Sequence, residues 1–183
     1  MTDDSLSMQL NNSAMDHFRD YTFGRNDSVD SLEIALSELD KAIELTPSHL
    51  NLYSNKTNIL LSLHRIEEAI DVINQAIEVD PNSAETLTLL GFLYDSMGEE
   101  SIAQEWYQKA LNIYDTRIES GKFVINAKTN KAFLLFFTEN EQSAKNSLEV
   151  LLQEYPNNDD VIFANEVFTD FNKQEFLNSL TYN

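Results

Sequence analysis

Cysteine is absent from the 183 residues. That excludes disulfides, thiolate zinc sites and thiol catalysis. It suits a reducing, cytoplasmic setting, which is where the chain is expected to reside. Positive charge is scarce. Lys and Arg number 12 against 31 Asp and Glu, a formal net charge of −19. A field of that sign repels phosphate backbones, so no nucleic-acid partner is expected. It attracts a basic partner, or it only keeps the chain soluble. Long apolar runs are missing too. No stretch approaches the ~18 consecutive apolar residues of a membrane helix. The opening MTDDSLSMQLNNS has early aspartates and no apolar run, so it is read as neither signal peptide nor membrane span. Residues 1–12 are expected to form a polar, disordered tail. No membrane association is expected.

Residues fit for catalysis or metal binding are equally sparse. His17 lies between Asp16 and Asp20 on an expected helix, and His49 and His64 lie in expected turns. No two stand at metal-ligand spacing, and HExxH is absent. Gly24, Gly91, Gly98 and Gly121 build no phosphate-cradling loop, and there is no GxSxG. The stretch RNDSVDSLE has acids spaced as in a calcium loop but lacks the sharp-turn glycine. The expectation is therefore no enzyme, no cofactor and no metal.

What the chain does have is enough apolar residue, 42%, for one domain with a sizeable core. It also repeats itself. Ala35, Ala69 and Ala103 recur at a step of 34, as do Ala42, Ala76 and Ala110, and Leu39, Ile73 and Tyr107. Pro47 and Pro81 keep that step, and Asp115 takes the place of a third proline. A fourth unit follows after a slip of two helical turns. Ala144 stands 12 residues before Pro156, as Ala35 does before Pro47. The extra residues are placed around Thr116 to Lys122, as a prolonged helix stopped near Gly121.

Each unit reads as two helices. In the second unit, Leu52 to Leu63 forms one, and the chain turns at His64-Arg65. Ile66, Ala69, Ile70, Ile73, Ala76 and Ile77 then mark one face of the next. Asp80-Pro81 ends the unit, and Asn82-Ser83 offers capping oxygens to its successor. At the C-terminal end Asn172 and Glu175 form a capping signature for a last helix.

A 34-residue helix-turn-helix period with these residues resembles the tetratricopeptide repeat family. The best-matched unit runs from Ala84 to Ala110, through Leu87, Leu90, Gly91, Tyr94, Gly98, Ala103, Tyr107 and Ala110. The second unit has Thr57 where the family prefers a smaller residue, and the first is sound only in its second helix. The resemblance implies an all-α, right-handed α-solenoid of three to four helical hairpins with a C-terminal capping helix. The hairpins span about 13–48, 49–82, 83–122 and 123–158, with capping helices over 159–183 to cover the open end of the stack. It also gives Gly91 a role, as the point where two helices of one unit cross and admit Ala103 and Tyr107.

Function follows from the same resemblance. First helices line a concave surface that holds a peptide or a partner helix. The repeat register places Asn51, Ser54, Asn55 and Asn58 there from the second unit. The third unit supplies Glu85, Thr88, Phe92 and Asp95, and the fourth supplies Asn126, Thr129 and Phe133. Asn55 and Asn58 are read as backbone-binding amides or as plain polar surface. Phe92 and Phe133 are the expected apolar anchors. In the run FLLFF, Leu134 and Leu135 should enter the core. Phe133, Phe136 and Phe137 should be covered by the last helices or line a groove. Trp106 is expected to pack against the neighbouring repeat. Chaperone-binding members of the family grip a C-terminal carboxylate with Lys and Arg. Here Glu85 and Leu89 stand at those places, so that ligand is not expected. The expected function is thus a non-enzymatic protein–protein interaction module. The alternative is an acidic cytosolic chaperone or inhibitor that masks a basic protein by charge.

Overall fold

The structure is a computed structural model that describes residues 2–25 and 28–181. Those residues form ten helices and no strand. They divide into two compact units, residues 1–81 and 82–183. RNDSVDSLE lies partly outside the described residues, at Asn26 and Asp27.

The first unit holds α1 (Asp3–Thr22), α2 (Val29–Leu45), α3 (Leu50–Ser62) and α4 (Ile66–Val79). α2 buries Leu32, Ala35, Leu36, Leu39 and Ala42, the apolar stripe of an amphipathic helix. α4 does the same with Ile66, Ala69, Val72, Ile73 and Ala76. The tail expected over residues 1–12 is instead helical from Asp3. Thr2 accepts a hydrogen bond from the Ser5 N–H at 3.3 Å, and Asp3 and Asp4 sit at the positive end of the helix dipole. Ser7 is buried, and its hydroxyl donates to the Ala42 carbonyl at 3.1 Å and meets the Thr46 hydroxyl at 2.6 Å. Ser13 donates to Glu38 at 2.8 Å. The two bonded pairs run in opposite directions along the chain, so α1 lies antiparallel on α2. A small hydroxyl satisfied by its neighbour packs as well as an alanine, which composition alone does not disclose.

The second unit holds α5 (Ala84–Ser96), α6 (Glu100–Glu119), α7 (Val124–Thr138), α8 (Glu141–Glu154), α9 (Asp159–Thr169) and α10 (Lys173–Thr181). Ser83 caps α5 through the Thr86 N–H. Without a proline at position 115, α6 runs two turns beyond the end of the repeat, and Gly121 stops it at φ +72°. The turn between α5 and α6 uses Gly98 at φ +81°, and 34 residues earlier His64 adopts the same left-handed region at φ +55°.

Gly91 is where α6 meets α5. A Cβ built there would lie 2.5 Å from Tyr107 Cδ1 and 3.2 Å from its Cζ. Tyr107 is fully buried, as are Ala103 and Ala110. The ring occupies the space that a side chain at position 91 would need.

α7 pairs with α8, and α9 packs on α8 and α7. α10 does not extend this order. It turns back at Asp170–Asn172 and packs against α5. Covering the end of the stack therefore falls to α9, while α10 goes to the first helix of the unit.

Candidate functional site

The site is built from the faces of α5 and α7 that the hairpin packing leaves over. On α5, Leu87, Leu90 and Leu93 are buried. Phe92 and Asp95 stand one turn apart on a different face. On α7, Asn126, Thr129 and Phe133 share a face, with Phe136 and Phe137 beside it.

Phe92 and Phe133 approach to 5.9 Å between ring centroids, edge to face. Phe137 adds a ring 4.5 Å from Phe92, and Tyr107 lies 5.7 Å from it. The C-terminal helices close over this cluster. Phe168 of α9 stacks on Phe133 at 4.3 Å with an interplanar angle of 18°. Phe171 stands 5.0 Å from Phe133 and 4.8 Å from Phe136. Phe176 of α10 meets Phe92 at 5.1 Å in a T-shaped contact. These offset and edge-on arrangements are the ones that aromatic quadrupoles favour.

One carboxylate sits among the rings. Asp95 is 9% exposed, and its Oδ2 accepts the Tyr107 hydroxyl proton at 3.1 Å. The same oxygen is 2.9 Å from Lys173 Nζ. Burial, and next the Asp95 charge, push the Tyr107 phenol well above its ordinary range, so it stays a donor. The Lys173 ammonium also lies 5.3 Å from the centre of the Phe137 ring.

Phe92, expected as an apolar anchor of the groove, is only 8% exposed, because Phe176, Phe137 and Tyr107 surround it. Phe133 is half-buried beneath Phe168 and Phe171, and Asp95 is enclosed rather than presented to solvent. Thr88 and Thr129 are half-buried. Glu85 and Asn126 are exposed, but each is engaged. Arg117, from the extension of α6, donates to Glu85 at 2.6 Å, and Asn130 donates to the Asn126 side chain at 3.4 Å. Phe136, Phe137 and Leu134 are buried, and Leu135 is half-buried. Trp106 is half-buried, with the Lys109 ammonium 3.8 Å from its ring centre.

In the first unit, Asn51, Ser54 and Asn58 are exposed on α3. Asn55 is half-buried and donates its amide to Asn11 Oδ1 of α1 at 2.7 Å. One N–H of the amide expected either to bind a peptide backbone or to be plain polar surface is thus engaged within the chain.

The register placed Phe92, Asp95 and Phe133 on one face but missed Lys173, Phe168 and Phe171. Their signal was a run of aromatics, FTDFNKQEF, with a single cation in an acidic stretch. Among the described residues there is no cluster of three or more potential metal ligands. Nor is any helix among them long and apolar enough to cross a membrane.

Antiparallel helical hairpins at a 34-residue step, with a glycine–tyrosine crossing inside one of them, define an all-α repeat protein. The sequence model of the tetratricopeptide repeat matches residues 50–83 and 84–116, so the chain carries two such repeats in tandem. Human tetratricopeptide repeat protein 33 is 34% identical over 88 residues, 48% of this chain and 34% of that one. The Hsp70-Hsp90 organizing protein of Triticum aestivum is 31% identical over 84 residues, 46% of this chain and 14% of that one. The chain thus spans about a third or less of the length of these two relatives. The crystal structure of a thermophilic TPR protein from Thermus thermophilus superposes with a TM-score of 0.54 at 17% identity. It covers 91% of this chain and 96% of that one. That likeness shows the shared fold.

Proposed function

We propose that this chain is a non-enzymatic protein-interaction module whose ligand faces lie on the first helices of its repeats, on α3 within the first unit and on α5 and α7 within the second. One observation carries the reading. In the second unit the aromatic and acidic face of α5 and α7 accepts a helix, α10, that belongs to no hairpin. A surface that receives one amphipathic helix through an aromatic anchor and a charge pair has the chemistry of helix-in-groove recognition. Asn51, Ser54 and Asn58 on α3 supply exposed polar groups for a peptide backbone. A C-terminal carboxylate is disfavoured as the ligand, because Glu85 is acidic and the nearby Arg117 is already bound to it.

Site-specific photo-crosslinking in the native host tests this. The crosslinker is placed at Asn58, Glu85 and Asn126 on the first helices, and at the exposed Asn74 and Glu105 on second helices as controls. The expected result is a shared partner adduct from the first-helix positions alone. Adducts from Asn74 and Glu105 alone would place the ligand surface elsewhere.

A second reading has its own observation. At least nine of the twelve Lys and Arg side chains are held in ion pairs with the chain's own acids. The remaining surplus of carboxylates faces outward and would shield a basic protein. This reading expects partner capture to fall steeply with salt and to ignore substitutions on the ligand faces of the first helices.

A further inference from the structure

We propose that α10 is a built-in, displaceable occupant of the ligand face of the second unit. The partner that replaces it is a short amphipathic helix with the pattern of α10 itself: a basic residue, an aromatic three positions later, then a leucine. The inference rests on the face of α5 and α7 being a ligand surface.

The pattern is read from the contacts. Lys173 pairs with Asp95 at 2.9 Å. Phe176, one turn on, meets Phe92 at 5.1 Å and Phe137 at 5.8 Å, and Leu177 beside it is buried. The two sides of the contact differ in burial. The receiving groups are enclosed, Asp95 at 5% side-chain exposure and Phe92 at 8%. Lys173 keeps 36% exposure, and Phe176 is half-buried. The receiving surface is fixed from behind, by the Tyr107 hydroxyl on Asp95 and by Phe137 against Phe92.

α10 has nine residues, which is below the length at which a helix is stable alone in water. Its order therefore comes from docking. Once it leaves, Asp95 loses its cation in a largely apolar setting. A replacement must bring a cation to that point, which selects a basic residue and rejects an acidic one. An acidic chain holding its own basic-aromatic helix against this carboxylate also excludes weak ligands until one of matching chemistry competes.

The test uses the full chain, wild type and carrying Lys173→Ala with Phe176→Ala. The probe is a fluorescein-labelled peptide of residues 170–181, DFNKQEFLNSLT, with a control peptide in which its lysine is glutamate. If α10 occupies the site, the probe sees only the fraction of molecules with the site open. The double variant should bind it about tenfold more tightly than wild type, and the control peptide should bind neither. Amide exchange of α10 should accelerate about tenfold in the variant, while that of α5 and α7 stays within about twofold. Lys173→Ala alone should move both readouts in the same direction by less, which keeps the test available if the double variant does not fold.

Equal binding to wild type and variant would overturn the occupant and leave the ligand face standing. Binding to neither would overturn both the occupant and the ligand-face reading of this unit. Unaccelerated exchange of α10 in a folded variant would make it a permanent part of the core, and the proposal would fall.

Discussion

Tyr107 ties together three features of the second unit. Its ring fills the space over Gly91, its edge meets Phe92 and Phe137, and its hydroxyl fixes Asp95. A methyl group at position 91 gains about 1 kcal/mol of helix propensity. It also drives a carbon into a ring that is held on several sides and has nowhere to relax. Overpacking of this kind costs about 1–3 kcal/mol, so the clash wins. Gly91→Ala is expected to lower the urea midpoint with an unchanged m-value, and an equal or higher midpoint would contradict the crossing described here. The repeat register located this contact from sequence, because glycine and tyrosine keep their places within a 34-residue step. It did not reveal that the tyrosine hydroxyl would reach Asp95. That bond depends on how deeply the ring enters the hairpin.

At the scale of elements, α6 shows how one missing proline alters a surface. Asp115 lets the helix continue to Glu119, and the added turns carry Arg117 to Glu85. Tyr114 is buried on the same helix, and burial, reinforced by the Glu85 charge, raises its phenol to about 12. A group whose folded pKa lies above its unfolded value of 10 stabilises the fold fully below pH 10. The contribution fades as pH rises through about 12. Melting temperature should therefore drop on going from about pH 9 to about pH 11.5. Tyr114→Phe should show a smaller drop, measured by circular dichroism in both buffers. A variant that loses as much as wild type would assign the alkaline loss to other groups.

α1 and α10 illustrate what periodicity leaves out. α1 carries no strong apolar stripe, and it forms because Thr2 caps it and Ser7 finds hydroxyl and carbonyl partners on α2. α10 was legible as a capped helix, and Asn172 does accept the Glu175 N–H at 3.1 Å. Its destination was not legible. Phe176 and Leu177 would cover any apolar surface offered, and only the charge pair with Asp95 distinguishes α5 from the end of the stack.

For the molecule as a whole, the dominant long-range term is charge. With 31 acids against 12 bases, and most bases already paired, like charges repel across the compact state. Added salt screens that repulsion over roughly 10 Å at 0.1 M. Raising sodium chloride from about 20 mM to about 300 mM should raise the melting temperature by a few degrees. A fall would mean that the ion pairs contribute more than the surplus of acids costs.

The sequence by itself determined the helices of the regularly spaced units, their pairing into hairpins and the glycine–tyrosine crossing, because these are set by local spacing that recurs every 34 residues. It also determined the charge. The tertiary structure alone decided which of the expected site groups are engaged within the chain. Asn55 is taken by Asn11, Glu85 by Arg117, and Phe92 and Asp95 by Phe176 and Lys173. Each of those partners lies 32 to 84 residues away in the chain, where no local pattern reaches and only the path of the backbone brings the two together.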